Sequence, residues 1–423
     1  MSSFSDLSVD GLIRHLNASV SPAHSVEYSA ARLRAAGFVE TAFGRLNEDV
    51  PARGFIAEAG LLLAWTLPQQ STRQFRIVGA HTDSPCLKVK PLPDAGSFGW
   101  KQLGVEVYGG ILNNSWLDRD LGLAGRVVLT DGTVKNVRVD QAIARIPQLA
   151  IHLDREVNDR GLVLDKQVHL APIWGLGQYR SGEFAEFLAE QMSVSSSDIA
   201  FWDIAFYDLT PASLLGQDLS LLASGRLDNQ VSCWAATEGL IAASSSELSG
   251  DTASVIALFD HEEVGSESTH GASGPRLAWL LEALHQGTRT EFHEALSRSH
   301  CISADNAHAL HPNYPDRHEP AHRPLPNLGP VLKVNANQRY ATSPESAAVF
   351  LQTCDLAGVP HQVFVSKNTM PCGSTIGPIT STQLGIPTVD VGVAQLSMHS
   401  ARELCGANDP ALLAQVIVRY FAA

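Results

Sequence analysis

The sequence predicts an α/β protein in which both ends of the chain build one helix-covered sheet, with a β-rich block inserted between them. Three observations predict it. Buried-looking apolar runs alternate with helical stretches before residue 88 and again after residue 225. The intervening block, residues 89–224, alternates with the period of strands instead. Hydrophobic residues make up 44% of the 423 and charged residues only 17%, the profile of a chain that buries a large core.

In chain order, Asp10 to Leu16 and Ser25 to Ala36 read as helices, the second ending at Gly37. Phe75 to Ala80 is a short apolar run of the kind that forms a buried strand. In the middle block, Val105 to Tyr108 and Ala124 to Thr130 alternate as strands, and Asp131-Gly132 supplies a tight turn into a partner strand, Val134 to Val139. Beyond it, Asn229 to Ala243 is a helix, Ser254 to Phe259 a strand and Arg276 to Leu284 a helix. Cys301 to Ser303, Gln362 to Val365 and Thr388 to Val391 read as strands, and Ala411 to Phe421 closes as a helix. The Pro- and His-rich stretch from His308 to Pro330 has no period and is expected as a loop. The economical organisation is one α/β domain from residues 1–88 and 225–423, interrupted by a β-rich domain at 89–224.

Charge and composition then exclude whole classes of function. With 30 Lys+Arg against 44 Asp+Glu, the formal charge of −14 argues against nucleic acid and anionic membrane as partners. No apolar run approaches the roughly 20 residues that span a bilayer; the longest obvious one, around Leu61 to Trp65, is far too short. Residues Met1 to Asp6 carry no basic-then-apolar leader. Six scattered cysteines without a Cys-x-x-Cys pair suit reduced thiols, so a cytoplasmic location is expected and a cysteine-type zinc site is not.

Chemistry gathers where the predicted strands end. His81 follows the strand ending at Ala80; Glu262 and Glu263 follow the one ending at Phe259; Asp305 follows Cys301 to Ser303; His399 lies a few residues past Val391. Asp228 stands immediately before a helix. The carboxyl ends of strands form the site-bearing rim of open α/β sheets. Histidines and carboxylates on such a rim are the ligand set of a divalent metal centre. Alone, a strand-end aspartate is more often a turn or a helix cap, and adjacent glutamates are more often a solvated pair. The coincidence of all five features carries the reading. Other templates fail: His261-Glu-Glu-Val-Gly265 lacks the second histidine of His-Glu-x-x-His, and no nucleophile elbow, dinucleotide loop or P-loop occurs. His308, His311, His318 and His322 have the irregular spacing of a loop.

Together, His81-Thr-Asp-Ser-Pro-Cys-Leu-Lys-Val-Lys90, Ser224-Gly-Arg-Leu-Asp-Asn229, His261-Glu-Glu-Val-Gly-Ser-Glu267, Ile302-Ser-Ala-Asp305 and Met398-His-Ser-Ala-Arg-Glu403 resemble the M18 aminopeptidases, the aspartyl aminopeptidase family. The similarity runs in order over nearly the whole chain and extends to Lys333-Val-Asn335, Gln338-Arg-Tyr340 and Pro371 to Gly377. It implies a zinc-exopeptidase-like central mixed sheet with an inserted dimerisation domain. It also implies two divalent ions, zinc with manganese or cobalt as alternatives: His81 and Asp305 on one, Glu263 and His399 on the other, Asp228 bridging. Glu262 is then the general base that activates a bridging water, and Asp83 holds His81 from behind. Likeness to other dinuclear sites implies a cis Asp228–Asn229 peptide. The implied substrates are peptides with a free, preferably acidic, N-terminus, read by Lys333, Arg339 and Tyr340. His152 resembles a histidine that reaches a neighbouring subunit's site, within dimers that assemble into a tetrahedral dodecamer. Asn306, where methionine is expected, and Thr369-Met370, before Pro371, depart from the family pattern and bear on substrate range. Neutral N-terminal preference, a related dinuclear deacylase or carboxypeptidase, and a non-catalytic scaffold are the competing readings.

Overall fold

A computed structural model describes residues 6–46, 50–245 and 250–422; the expectation about a leader at Met1 to Asp6 falls almost wholly outside the described residues. Among the described residues nine strands form the central sheet. Their spatial order is Val39–Glu40, Arg53–Glu58, Leu61–Thr66, Thr252–Phe259, Gln74–His81, His300–Ala304, Thr388–Gly392, Val331–Val334 and Gln362–Val365. The sheet is mixed. The four strands from Thr252–Phe259 to Thr388–Gly392 run parallel, while Leu61–Thr66 and Val331–Val334 join them antiparallel.

Both faces of this sheet are covered, which is why its strands read as continuous apolar runs. Phe75 and Ile77 point into one core with the helices Arg276–His285 and Arg289–Arg298. Val78 and Ala80 point into the other, with Val9–Ala18, Pro22–Ala35, Leu227–Ala243, Pro344–Ala357 and Asp409–Ala422. The first two helices start a little earlier than their periodicity predicts because Ser8 and Ser21 cap them, accepting from Gly11 N and His24 N. Leu61–Thr66, which the sequence offered only as an apolar run, is buried at every position.

The middle of the chain forms a six-stranded antiparallel sheet. Its order is Val134–Ala144, Leu121–Leu129, Ile199–Asp208, Cys86–Ser97, Trp100–Tyr108 and Ile173–Leu176. The expected hairpin is there: Gly132 takes φ +85° and Asp131 Oδ1 accepts from Thr133 N. This sheet has its own apolar cluster, closed by the helix Glu183–Met192, which the sequence reading had not marked. A third sheet joins Ser213–Leu215, Leu221–Ser224, Glu403–Gly406, Ala394–Leu396 and Ala307–His308. The expected loop from His308 to Pro330 is irregular apart from His308 itself, which ends that strand, and a single turn of 3₁₀ helix at Pro315–Arg317.

Candidate metal centre

The parallel strands end on one rim. Phe259 pairs with His81, and Ser303 with Gly79, so His81, Glu262, Glu263 and Asp305 emerge side by side. Asp228 enters from the start of the helix Leu227–Ala243, where Asp228 and Asn229 are non-helical and their peptide bond is cis. His399 arrives from the loop between Ala394–Leu396 and Glu403–Gly406. Three non-glycine residues next to these positions, Arg226, His261 and His399 itself, have φ between 60° and 67°, the left-handed region that ordinary side chains avoid.

The six side chains converge. His81 Nε2 lies 3.3 Å from Asp228 Oδ1, 3.7 Å from Asp305 Oδ1 and 4.0 Å from Glu262 Oε2. His399 Nε2 lies 3.3 Å from Glu263 Oε2 and 3.9 Å from Asp228 Oδ2. Asp228 therefore stands between the two imidazoles, one oxygen towards each. His81 Nε2 and Asp228 Oδ1 are buried without a hydrogen-bond partner. Ligand atoms of His81, Asp228 and Glu263 lie within 4.8 Å of one another. Buried, unpartnered acceptors of this kind are costly unless something cationic fills the space between them.

The electrostatics point the same way. Burial and the neighbouring charges of Asp305, Asp83 and Asp228 push the Glu262 carboxyl up to about 8. Burial, with the charge of Asp228, drives Glu263 well above its ordinary range, and burial with the charge of Asp305 raises Asp228. Burial alone would lower the His81 pKa, but the nearby carboxylates of Asp228, Asp305 and Asp83 outweigh it and hold the ring well above its ordinary value. Without a metal the site gathers protons instead, as a cluster of like charges must. The donor set, imidazole nitrogen with carboxylate oxygen, suits zinc and fits the space.

Two buried carboxylates hold the ligand-bearing loops. Asp83 accepts from the Glu262 and Glu263 main-chain N–H groups at 3.1 Å each and from Tyr108 Oη at 2.7 Å, and lies 3.3 Å from His81 Nδ1. Glu403 accepts from Asp228 N at 3.0 Å and His399 N at 2.7 Å. Asp83 was expected here. Glu403 was not, although it closes a quoted motif; an acidic residue four positions after a ligand histidine has no unique meaning in sequence. Asn306, a departure from the family pattern, ties two loops together, its Nδ2 donating to Leu227 O and Gln395 Oε1 at 2.9 Å each.

The residues expected to read substrate divide. Lys333 is buried, with Nζ 3.3 Å from both Asp305 Oδ2 and Asn306 O and 4.9 Å above the Tyr340 ring. Its charge holds Asp305 well below the usual carboxylate range against the opposing effect of burial. Tyr340 is buried and walls a cavity of about 280 Å³, lined also by His308, Arg317, Lys367 and Met370. Arg339 is exposed and donates to Cys372 O. His152 lies on an exposed turn and joins no hydrogen bond or ion pair among the described residues of this single chain.

Residues 15–421 match the family described as aminopeptidase I zinc metalloprotease, M18. The chain belongs to the M18 aminopeptidase family. It is 48% identical over 417 residues to a probable M18 family aminopeptidase 2 of Streptomyces coelicolor, covering 97% of this chain and 96% of that one. Among solved structures it is similar to Ape4 in a complex of Ape4 and Nbr1. The TM-score is 0.93 at 33% identity, covering 98% of this chain and 85% of that one. The S. cerevisiae mApe1 dodecamer shares the fold, with a TM-score of 0.84 at 24% identity over 98% of this chain and 96% of that one. This M18 aminopeptidase is accordingly a zinc metallopeptidase whose sheet is the mixed one the resemblance implied. No helix among its described residues is long and apolar enough to cross a membrane.

Proposed function

We propose that this M18 aminopeptidase removes acidic N-terminal residues from peptides at a centre of two divalent ions. The observation that carries it is Asp228, whose two oxygens face two separate imidazoles, His81 and His399, the nearer oxygen without a hydrogen bond. His81 and Asp305 would hold one ion, Glu263 and His399 the other, with Asp228 shared. When bound, the ions lower the pKa of a shared water, polarise the scissile carbonyl and take the substrate's α-amine. Glu262 then does the proton work. Its Oε2 stands at the edge of the ligand set, 4.0 Å from His81 Nε2, and its side chain is 15% exposed, within reach of substrate. Ionised beside the bound cations, it takes the water's proton and passes it to the leaving amine.

An acidic side chain would enter the cavity beside Tyr340. Lys333, the cation first expected to read it, is already neutralised by Asp305. Lys367, on the cavity wall, and Arg339, which donates to the main chain of the wall residue Cys372, bond to main-chain oxygens and meet no carboxylate within 4.0 Å among the described residues. Their charge is available. Self-association would bring His152 to a neighbouring copy, as in the dodecamer that S. cerevisiae mApe1 forms; the exposed Leu149, Leu153 and Val163 are the apolar side chains such contact would cover. Six free cysteines suit a reducing compartment such as the cytoplasm.

The test is a panel of aminoacyl substrates, free or blocked at the α-amine, run with zinc, manganese and cobalt. Cleavage of free acidic substrates over neutral ones supports the reading. Equal cleavage of blocked substrates makes the protein a deacylase, and neutral preference removes the acidic specificity. Lys367→Ala should lower kcat/KM several-fold on acidic substrates alone, whereas Lys333→Ala should lower it on all substrates alike.

A further inference from the structure

We propose that the tripeptide Tyr108-Gly109-Gly110, carried to the rim by the six-stranded sheet, positions both halves of the metal centre. The inference rests on the dinuclear reading above. Tyr108 ends the strand Trp100–Tyr108 and donates its hydroxyl proton to Asp83 Oδ2 at 2.7 Å. Asp83 in turn holds His81 and the main chain of Glu262 and Glu263. Two residues on, the Gly110 carbonyl stands 3.0 Å from His399 Nδ1. A carbonyl can only accept, so Nδ1 carries the proton and Nε2 presents its lone pair to the side facing Glu263 and Asp228.

Gly109 sits between these contacts at φ +70°, where an added Cβ would stand 3.2 Å from the Glu263 Cβ. A Cβ on Gly110 would stand 3.3 Å from His399 Nδ1 itself. At either glycine a side chain would have to push the ligand residue beside it by a few tenths of an ångström, so the main chain at each position packs closely against a proposed ligand. The segment that follows extends the grip: Leu112 N donates to His399 O at 3.0 Å, and Ala401 N donates to Ser115 Oγ at 2.9 Å. The sheet built from the middle of the chain therefore reaches one ligand histidine directly and the other through Asp83. These are positioning residues; none of them meets substrate or metal.

The experiment is a titration of metal-stripped full-length protein with Zn²⁺ and Co²⁺ against a competing chelator. It compares wild type, Gly110→Ala, Tyr108→Phe and Val105→Ala. Gly110 lies outside the left-handed region, so alanine there strains no backbone and acts on the His399 ring. Val105 belongs to the same strand as Tyr108 but is buried in the sheet's own apolar cluster, away from the metal site. Wild type should take two ions. Gly110→Ala should weaken one of them roughly 10–100-fold and shift the visible Co²⁺ bands; Tyr108→Phe should weaken metal binding by roughly 10-fold. Val105→Ala should lower the Tm and leave metal affinity unchanged. If Gly110→Ala does not fold, Tyr108→Phe decides. Wild-type affinity in both glycine and tyrosine variants overturns the inference alone. Equal metal loss in Val105→Ala overturns it too, since sheet stability would then explain everything. A wild type that binds no metal overturns the dinuclear reading and the inference with it.

Discussion

The two halves of the proposed dinuclear centre are built differently. His81 and Asp305 leave adjacent parallel strands of one sheet, their side chains 1% and 12% exposed, backed by Asp83 and a buried lysine. Glu263 and His399 come from different layers, and the His399 side chain is 30% exposed. The first half is set by strand register, the second by how the third sheet and the Tyr108–Gly110 segment pack around it. A register cannot slip by fractions, whereas packing can loosen. The His399 half is the one expected to yield first.

The largest expected effect comes from removing the proposed base, Glu262, at the edge of the ligand set beside His81. Glu262→Gln should keep its metal and lose roughly 10²–10⁴-fold in kcat. Metal content with a hydrolysis assay checks it; comparable turnover in a metal-replete variant sinks the assignment. Next come the two supporting carboxylates. Asp83→Asn disturbs Glu262, Glu263 and His81 together and should weaken metal binding roughly 10–100-fold. Glu403→Gln leaves one acceptor oxygen for two N–H donors and should cost less, mostly at the ion held by His399. Equal losses at both ions in both variants would erase the distinction between the halves.

The smallest effect is on stability. In metal-free protein Glu262 is raised from 4.5 to about 8, and Asp228 and Glu263 are raised as well. At these three groups the folded chain then binds more protons than the unfolded one, so their contribution to stability is full below the ordinary carboxylate range and is lost as pH rises towards about 8. His81, raised above 6.5, adds to the loss in the same direction. Bound cations replace those protons, and the loss should vanish. Melting curves against pH, with and without a chelator, should diverge by a few degrees above neutrality; parallel curves would count against a proton-gathering cluster.

The strand-end half was legible in the sequence because a buried parallel strand announces itself as an apolar run, and the residue after it falls on the rim. Phe75 to Ala80 led directly to His81, and Cys301 to Ser303 to Asp305. In the other half Glu263 was read in the same way, from the run ending at Phe259, whereas His399 lies several residues past the strand end at Val391 and its place on the rim was less direct. Glu403 and Gly110 were invisible for a related reason. Their roles are main-chain hydrogen bonds across 175 and 289 residues of sequence, and such bonds leave no local pattern. Lys333 was found but its partner was not. Only the fold brings its ammonium 3.3 Å from Asp305 rather than into open space.

That long reach has a consequence during synthesis. The strand Leu221–Ser224 pairs with Glu403–Gly406, and until the latter leaves the ribosome neither Asp228 N nor His399 N has its acceptor. The first strands and the inserted sheet can form on the nascent chain, as domains generally do. The cutting centre cannot. A growing polypeptide carries His81, Asp228 and Glu263 well before His399 and Glu403, and the proposed centre cannot be completed until both of the latter are made.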